Sequence, residues 1–244
     1  MSIVSGGSFI NGWHRGDSSS QDFTTDATVA VGELAIVSVA IDDLSGSSTG
    51  ETDDIALADD SSNTWTKAYE YTNSNGSTVA IFYSIISSEI TSGEDLTVTP
   101  ALKVVCYVIS GEHFTLDESS VALSSTKEEE AASAGVGSLT VGSLTSKEYL
   151  WVRASAIEDR DTGFTTTSGF TAFTNLGTEG GGSSAGHQYL GAEYKIATGT
   201  TATSAPTDTS SSDSASVMIA ISEVTGGGGG GGVKIKGLPV LGVG

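Results

Sequence analysis

Residues 182 to 186, "GSSAG", are the one stretch whose types and spacing match a nucleophile motif, G-x-S-x-G. A nucleophile elbow needs a strand before the serine and a helix after it. Here a Gly/Ser-rich stretch runs instead into "HQYLGAEYKIA", which reads as a strand, so no catalytic serine is assigned. His14, His113 and His187 are scattered, with no second His or Cys at ligand spacing, and no zinc site follows. Acidic residues cluster more: Asp42 with Asp43, Asp53 with Asp54, Asp59 with Asp60, Glu94 with Asp95, then Glu158, Asp159 and Asp161. Such hard oxygen ligands leave Ca²⁺ open as a cofactor. None has EF-hand spacing, however, and solvated acidic loops are the plainer reading. A glycosidase needs two carboxylates across a cleft, one of them desolvated, and spacing names no such pair. The expectation is a protein that is no enzyme, with no catalytic residue, no metal ligand and no cofactor.

The most ordered set of aromatic residues is "TWTKAYEY". Strand alternation would put Trp65, Lys67, Tyr69 and Tyr71 on one face and Thr66, Ala68, Glu70 and Thr72 on the other. Exposed, Trp65, Tyr69 and Tyr71 would form a platform for stacking sugars. Buried, they would be core with Lys67 snorkelling at its edge, and this second reading is preferred.

The elements that must position these residues read as all-β. The chain has 244 residues, 37% of them hydrophobic, enough to bury a sizeable core. Runs of β-branched and aromatic residues lie between Ser, Gly, Asn and Asp clusters, with three prolines in all. Strands are expected at 33–41, 64–72, 77–86, 95–99, 103–110, 148–157, 188–197 and 214–224. Asn75-Gly76 should turn the second into the third as a type I′ hairpin. "KEEEAASA", 127–134, is the one candidate helix. Four segments recur in the same order: "ELAIVSVAIDD" and "EYLWVRASAIED", "SSNTWTKAYEY" and "TSGFTAFTNLG", "STVAIFYSII" and "HQYLGAEYKIA", "KVVCYVISGE" and "SVMIAISEV". Two small sandwiches in series, or one sandwich in which both halves interleave, would produce this order. The single sandwich is preferred, because 113–136 lacks linker composition. The expectation is thus an antiparallel β-sandwich, jelly-roll or Ig-like, over 22–225, built from two degenerate halves (22–112 and 136–225). A flexible N-terminal arm, 1–21, and a C-terminal tether and docking peptide, 226–244, flank it.

Thirty acidic against ten basic residues give a net charge of −20, a surface that repels nucleic acid. The single cysteine, Cys106, sits in an apolar strand and supplies no disulfide. Neither a signal peptide nor a membrane span is read from the chain, which points to synthesis in a cytoplasm.

Along "DDSSNTWTKAYEYTNSNGSTVAIFYSII" and "VGELAIVSVAIDD" the chain resembles β-sandwich virion proteins of tailed bacteriophages, over roughly residues 29 to 224. In that family a Gly-Asp/Glu-Leu strand precedes an Asp/Ser-rich turn ending in Asn-x-Trp and an aromatic hairpin. Ser62 stands here where Gly is common in the family. The resemblance implies a structural role at the virion surface, as a capsid decoration (cement) protein or part of a tail adhesin, and transfers no active site. The partners implied are the major capsid protein or neighbouring virion subunits, and the form a homo-oligomer, with a trimer favoured. The alternative is a carbohydrate-binding host-recognition module.

The C-terminus fits a role in assembly. Seven glycines, 226–232, span roughly 15 Å as a coil and no more than about 25 Å extended. Beyond them Val233, Lys234, Ile235, Lys236, Leu238, Val240 and Leu241 make an apolar, basic tip whose alternation suits strand addition to a sheet edge. Without its two lysines the body carries 8 basic and 30 acidic residues, a charge of −22 opposite in sign to the tip.

Overall fold

The structure is a computed structural model that describes residues 2–42, 50–51, 53–131, 135–159, 163–174, 176–177, 187–209 and 212–224. It is all-β. In chain order the strands are β1 (Val4–Ser18), β2 (Gln21–Thr24), β3 (Leu34–Asp42), β4 (Gly50–Glu51), β5 (Ile55–Asp59), β6 (Thr66–Thr72), β7 (Thr78–Ile85), β8 (Asp95–Pro100) and β9 (Val104–Thr115). They continue as β10 (Val121–Ala131), β11 (Leu139–Val141), β12 (Lys147–Ile157), β13 (Thr171–Ala172), β14 (Leu176–Gly177), β15 (Tyr189–Gly199), β16 (Ala202–Ser204) and β17 (Ser214–Glu223). Each of the eight strands expected from sequence is present.

Two large antiparallel sheets carry the fold, ordered β1-β9-β3-β7-β6-β4 and β10-β17-β12-β15-β13, with β14 also on β15. They stack face to face over a core that includes Leu34, Ile36, Val79, Ile81 and Val108 from one, and Leu150, Val152, Leu190, Val217 and Ile219 from the other. Each is also covered on its outer face. The three-stranded sheet β2-β8-β5 closes a second core over Val37, Val39, Phe82 and Ile109. The pair β11-β16 closes a third over Tyr149, Trp151 and Met218. Burial on both faces explains why "LAIVSVAI" and "YLWVRASAI" read as unbroken runs and not as alternation.

The recurring segments fall at matching places: β3 with β12, β7 with β15, β9 with β17, and β6 with β13 and β14. Across the main core β15 packs on β3 and β9, while β12 packs on β3 and β7 and β17 on β7 and β6. Exchanging each strand for its match leaves this contact pattern unchanged. The two sheets do not interleave strands, as the preferred single-sandwich reading expected; each segment pairs within its own sheet.

Three local expectations are corrected. Residues 4–18, expected in an N-terminal arm, are the edge strand β1, paired with β9 from Val4↔Thr115 to Ser18↔Val104, and Gln21 begins β2. The helix expected at 127–134 is strand through Ala131, because β10 is laddered to β17 as far as Ala131↔Ser214 and that pairing overrides local propensity; 132–134 lie outside the described residues. The β6–β7 hairpin is present, but its turn is not type I′. Gly76 N donates to Asn73 O and Asn73 N to Ser77 O, and of the loop residues Gly76 has positive φ (91°) while Asn75 does not. This is a three-residue loop ending in a left-handed glycine.

Trp151 is 1% exposed between the second large sheet and its cover. Trp151→Ala should cost about 3–5 kcal/mol, measured by denaturant titration; a loss below about 1 kcal/mol would mean that β11-β16 does not seal this face.

Candidate functional site

The residues that carry the family resemblance form a closed polar turn between β5 and β6. Asp59 accepts from Asn63 N (3.0 Å) through one carboxylate oxygen and from the Trp65 indole Nε1 (2.6 Å) through the other. Asn63 is buried, donates to Ser88 O, and accepts from the amides of Ser87 and Ser88 (2.8 and 2.9 Å). The turn is thereby tied to the segment after β7. Ser62 has φ 60°, the left-handed region where glycine is at ease and a serine is strained.

The expected row Trp65, Tyr69, Tyr71 does not exist as one face. β6 carries a bulge between Lys67, opposite Phe82, and Tyr69, opposite Ile81. The extra residue shifts the alternation. Trp65 packs into the core under the three-stranded sheet, whereas Tyr69 and Tyr71 pack into the core between the large sheets. No glycan platform of these three rings is presented. All three are half-buried, so the core reading of this strand holds with its rings divided between two cores.

Buried charges on β6 and in the second sheet are spent on positioning. Glu70, 1% exposed, accepts from Asp54 N (2.7 Å) and Ile55 N (3.0 Å), and Lys67 Nζ lies 2.7 Å from it and 2.6 Å from Asp53. The Lys67 hydrogen bond, then its charge, holds the Asp53 carboxyl below the usual range. Arg153 and Glu193, both 0% exposed, stand directly opposite in the β12–β15 register. Arg153 donates to Gly137 O (2.8 Å), Ser204 O, Ser155 Oγ and Ser216 Oγ. Glu193 accepts from Ser204 Oγ (2.6 Å) and Thr167 N (2.7 Å). The matching positions of the first sheet are Val37 and Phe82, both apolar. Comparing "AIVSV" with "WVRAS" along the recurring segments exposes this arginine as a charge in an apolar run, a signal the motif search does not weigh.

The acidic clusters likewise bind backbone. Asp60 accepts from Asp95 N, and Glu94 from Thr91 N and Ser61 Oγ; these bonds, the Thr91 amide foremost, hold the Glu94 carboxyl below its usual value. Glu158 is raised by burial and then by Asp213. Among the described residues no three His, Cys, Asp or Glu are grouped to hold a metal. His113 lies against Glu33 at 2.9 Å and His187 is buried. "GSSAG" and the tip residues Val233, Lys234, Ile235, Lys236, Leu238, Val240 and Leu241 lie outside the described residues.

Two substitutions check this account. Ser62→Gly should raise stability by about 0.5–1 kcal/mol, relief of the left-handed serine outweighing the entropy of glycine; no gain in melting temperature would contradict it. Arg153→Met should cost about 3–5 kcal/mol by removing the buried positive charge opposite Glu193 and its bond to the Ser204 hydroxyl they share, whereas Arg153→Val with Glu193→Phe, the residues of the first sheet, should recover most of the loss. A double variant no better than the single one would show that the two charges are not coupled.

Comparison with protein-family models, with curated proteins and with solved structures gives no match for this chain.

Proposed function

We propose that this chain is a non-enzymatic structural protein of a tailed-phage particle, a capsid decoration (cement) protein on the outer surface of the head. The observation that carries the reading is the Asp59–Trp65 turn: the residues that bear the family resemblance are consumed in closing a hydrogen-bonded corner of the fold. The same holds for Glu70, Arg153 and Glu193, whose charges meet backbone groups, serines and, for Glu70, Lys67. A surface of net charge −20 suits a particle exterior and opposes binding of nucleic acid. The carbohydrate-binding alternative loses its named platform, since Trp65 and the two tyrosines belong to different cores.

The body would be made in the host cytoplasm and join the major capsid protein or neighbouring subunits as an oligomer, a trimer in the simplest arrangement. The basic, apolar tip beyond the glycines would be the docking element, its charge opposite to that of the body.

Co-sedimentation with particles stripped of the protein tests this directly. Full-length chain should bind saturably, while chain ending at Thr225 should melt at the same temperature yet bind at least tenfold more weakly. Replacing Ile235 and Leu238 by Asp should mimic the truncation, because apolar burial drives docking. Equal binding of both lengths would remove the tip from the proposal. No binding to particles, together with glycan binding that Trp65→Ala abolishes, would replace decoration by host recognition.

A further inference from the structure

Glu112 of β9 is 6% exposed on the inner face of the first large sheet, opposite Ser8 of β1 on one side and Ile36 of β3 on the other. Its carboxyl has no hydrogen-bond or ion-pair partner among the described residues, and burial alone pushes its pKa up to about 7. Three hydroxyls on this face, those of Ser8, of Ser110 two residues along β9 and of Ser38 opposite Ser110, are wholly buried with no hydrogen-bond partner among the described residues. At the places of the second sheet that match Glu112, Ser110 and Ser38 stand Ile219, Val217 and Ala154, all in the main core, while Thr126 matches Ser8. The polar patch therefore belongs to one sheet and is no requirement of the architecture.

The groups around Glu112 offer a negative charge no compensation. The elements packed on β9 are β1, β3, β14 and β15. From β15 the residues of the main core are Leu190, Ala192 and Tyr194, and Tyr194 stacks edge-on to Phe114 at 5.2 Å. Tyr194 is the one titratable side chain facing Glu112 from these strands among the described residues. Glu193 points to the opposite face, Glu33 and His113 pair with each other, and Glu148 of β12 accepts from Ile3 N. On β1, His14, Arg15 and Asp17 lie toward the far end of the ladder, opposite Tyr107 to Val104.

An ionised Glu112 must reach water, and the weakest wall is β1. It is an edge strand held by a single ladder, and the register is broken on both sides of Ser8, between Ser5 and Gly7 and between Ser8 and Ile10. Gly7 sits at φ 107°, and a side chain at Gly6 would collide with the His113 ring. Val4 is exposed and Ser5 to Ser8 are at most half-buried, whereas Phe9 and Ile10 are fully buried in the second core, so the stretch with little packing of its own to lose is Val4–Ser8.

We propose that Val4–Ser8, the stretch ahead of the anchored Phe9 and Ile10, is a pH-operated flap, opened from β9 when Glu112 ionises and closed when Glu112 is protonated. The sign follows from linkage. The closed state favours the neutral acid, so closure is strongest below the ordinary glutamate pKa near 4.5 and weakens as pH rises to about 7, beyond which both states are ionised.

Hydrogen-exchange mass spectrometry on the full-length protein between pH 6 and pH 8, corrected for intrinsic exchange chemistry, reads the opening. From a closed-state pKa of about 7 against 4.5 when open, the opening constant of peptides covering Val4–Ser8 should rise about tenfold over this range. Peptides covering Val217–Ile221 should show no such rise. Glu112→Gln should abolish the pH dependence, and Glu112→Ile, the residue of the second sheet, should keep the segment closed throughout. A flat profile in the native protein, an unchanged tenfold rise in Glu112→Gln, or equal opening of β17 would each overturn the proposal.

Discussion

Both large sheets are covered on both faces, and the rest of the structure answers to that constraint. A half-buried sheet sends every second side chain to water and tolerates polar residues there. In β3, β7, β9, β12 and β17, and in the Leu190–Tyr194 part of β15, nearly every residue is inside, so any polar group must find its partner in the neighbouring strand or in the covering layer. Arg153 meets this demand with four different oxygen partners supplied by β11–β16 connections and adjacent serines. Glu112 does not meet it, and its carboxyl responds in the way open to an isolated acid, by favouring the neutral form.

The sheet edges face the opposite problem, an excess of unsatisfied backbone. β1 interrupts its own ladder with bulges, and Asp26 and Ala27 donate to Phe9 O along it. β10 carries Lys127, Glu128, Glu129 and Glu130 in succession, a charge run that opposes pairing with another copy. For a protein proposed to stand at high density on a particle, edges that refuse each other leave association to a separate element. A tethered apolar tip of opposite charge is suited to that task.

How much of this was legible in the residues varies with the kind of signal. Of the eight strands read, β3, β7, β9, β12, β15 and β17 were readable because burial on both faces makes them dense in β-branched and aromatic residues, and β6 and β8 because burial on one face makes them alternate. β1 and β10 were not, since an edge strand with glycines, or with four charged residues together, lacks both alternation and hydrophobicity; its strand character comes from β9 and β17. The β6 row failed for a different reason. A bulge adds one residue, and nothing in "TWTKAYEY" marks that Ala68 is extra, yet it sends Trp65 and Tyr69 to opposite faces. The turn at Ser62 was flagged by its departure from glycine, and a left-handed φ is what it has.

The matched sheets also limit what their differences can mean. Two sheets of the same strand order, each needing a small cover, could exchange covers during folding unless their outer faces differ. They do differ: the first presents Ala35, Val37, Val39 and Phe82, and the second presents Trp151, Arg153, Ser155 and Glu193. Laying β2-β8-β5 over Arg153 would bury a charge facing apolar residues, which costs several kcal/mol, while β11–β16 brings Gly137 O and Ser204 to receive it. On this argument the buried arginine and glutamate contribute less to the depth of the native state than to its uniqueness, by tying each cover to one sheet. The inner faces must instead fit each other, and there the second sheet is wholly apolar at Ala154, Val217 and Ile219. At those three positions the first sheet instead carries Ser38, Ser110 and Glu112, beside the bulged part of its edge strand.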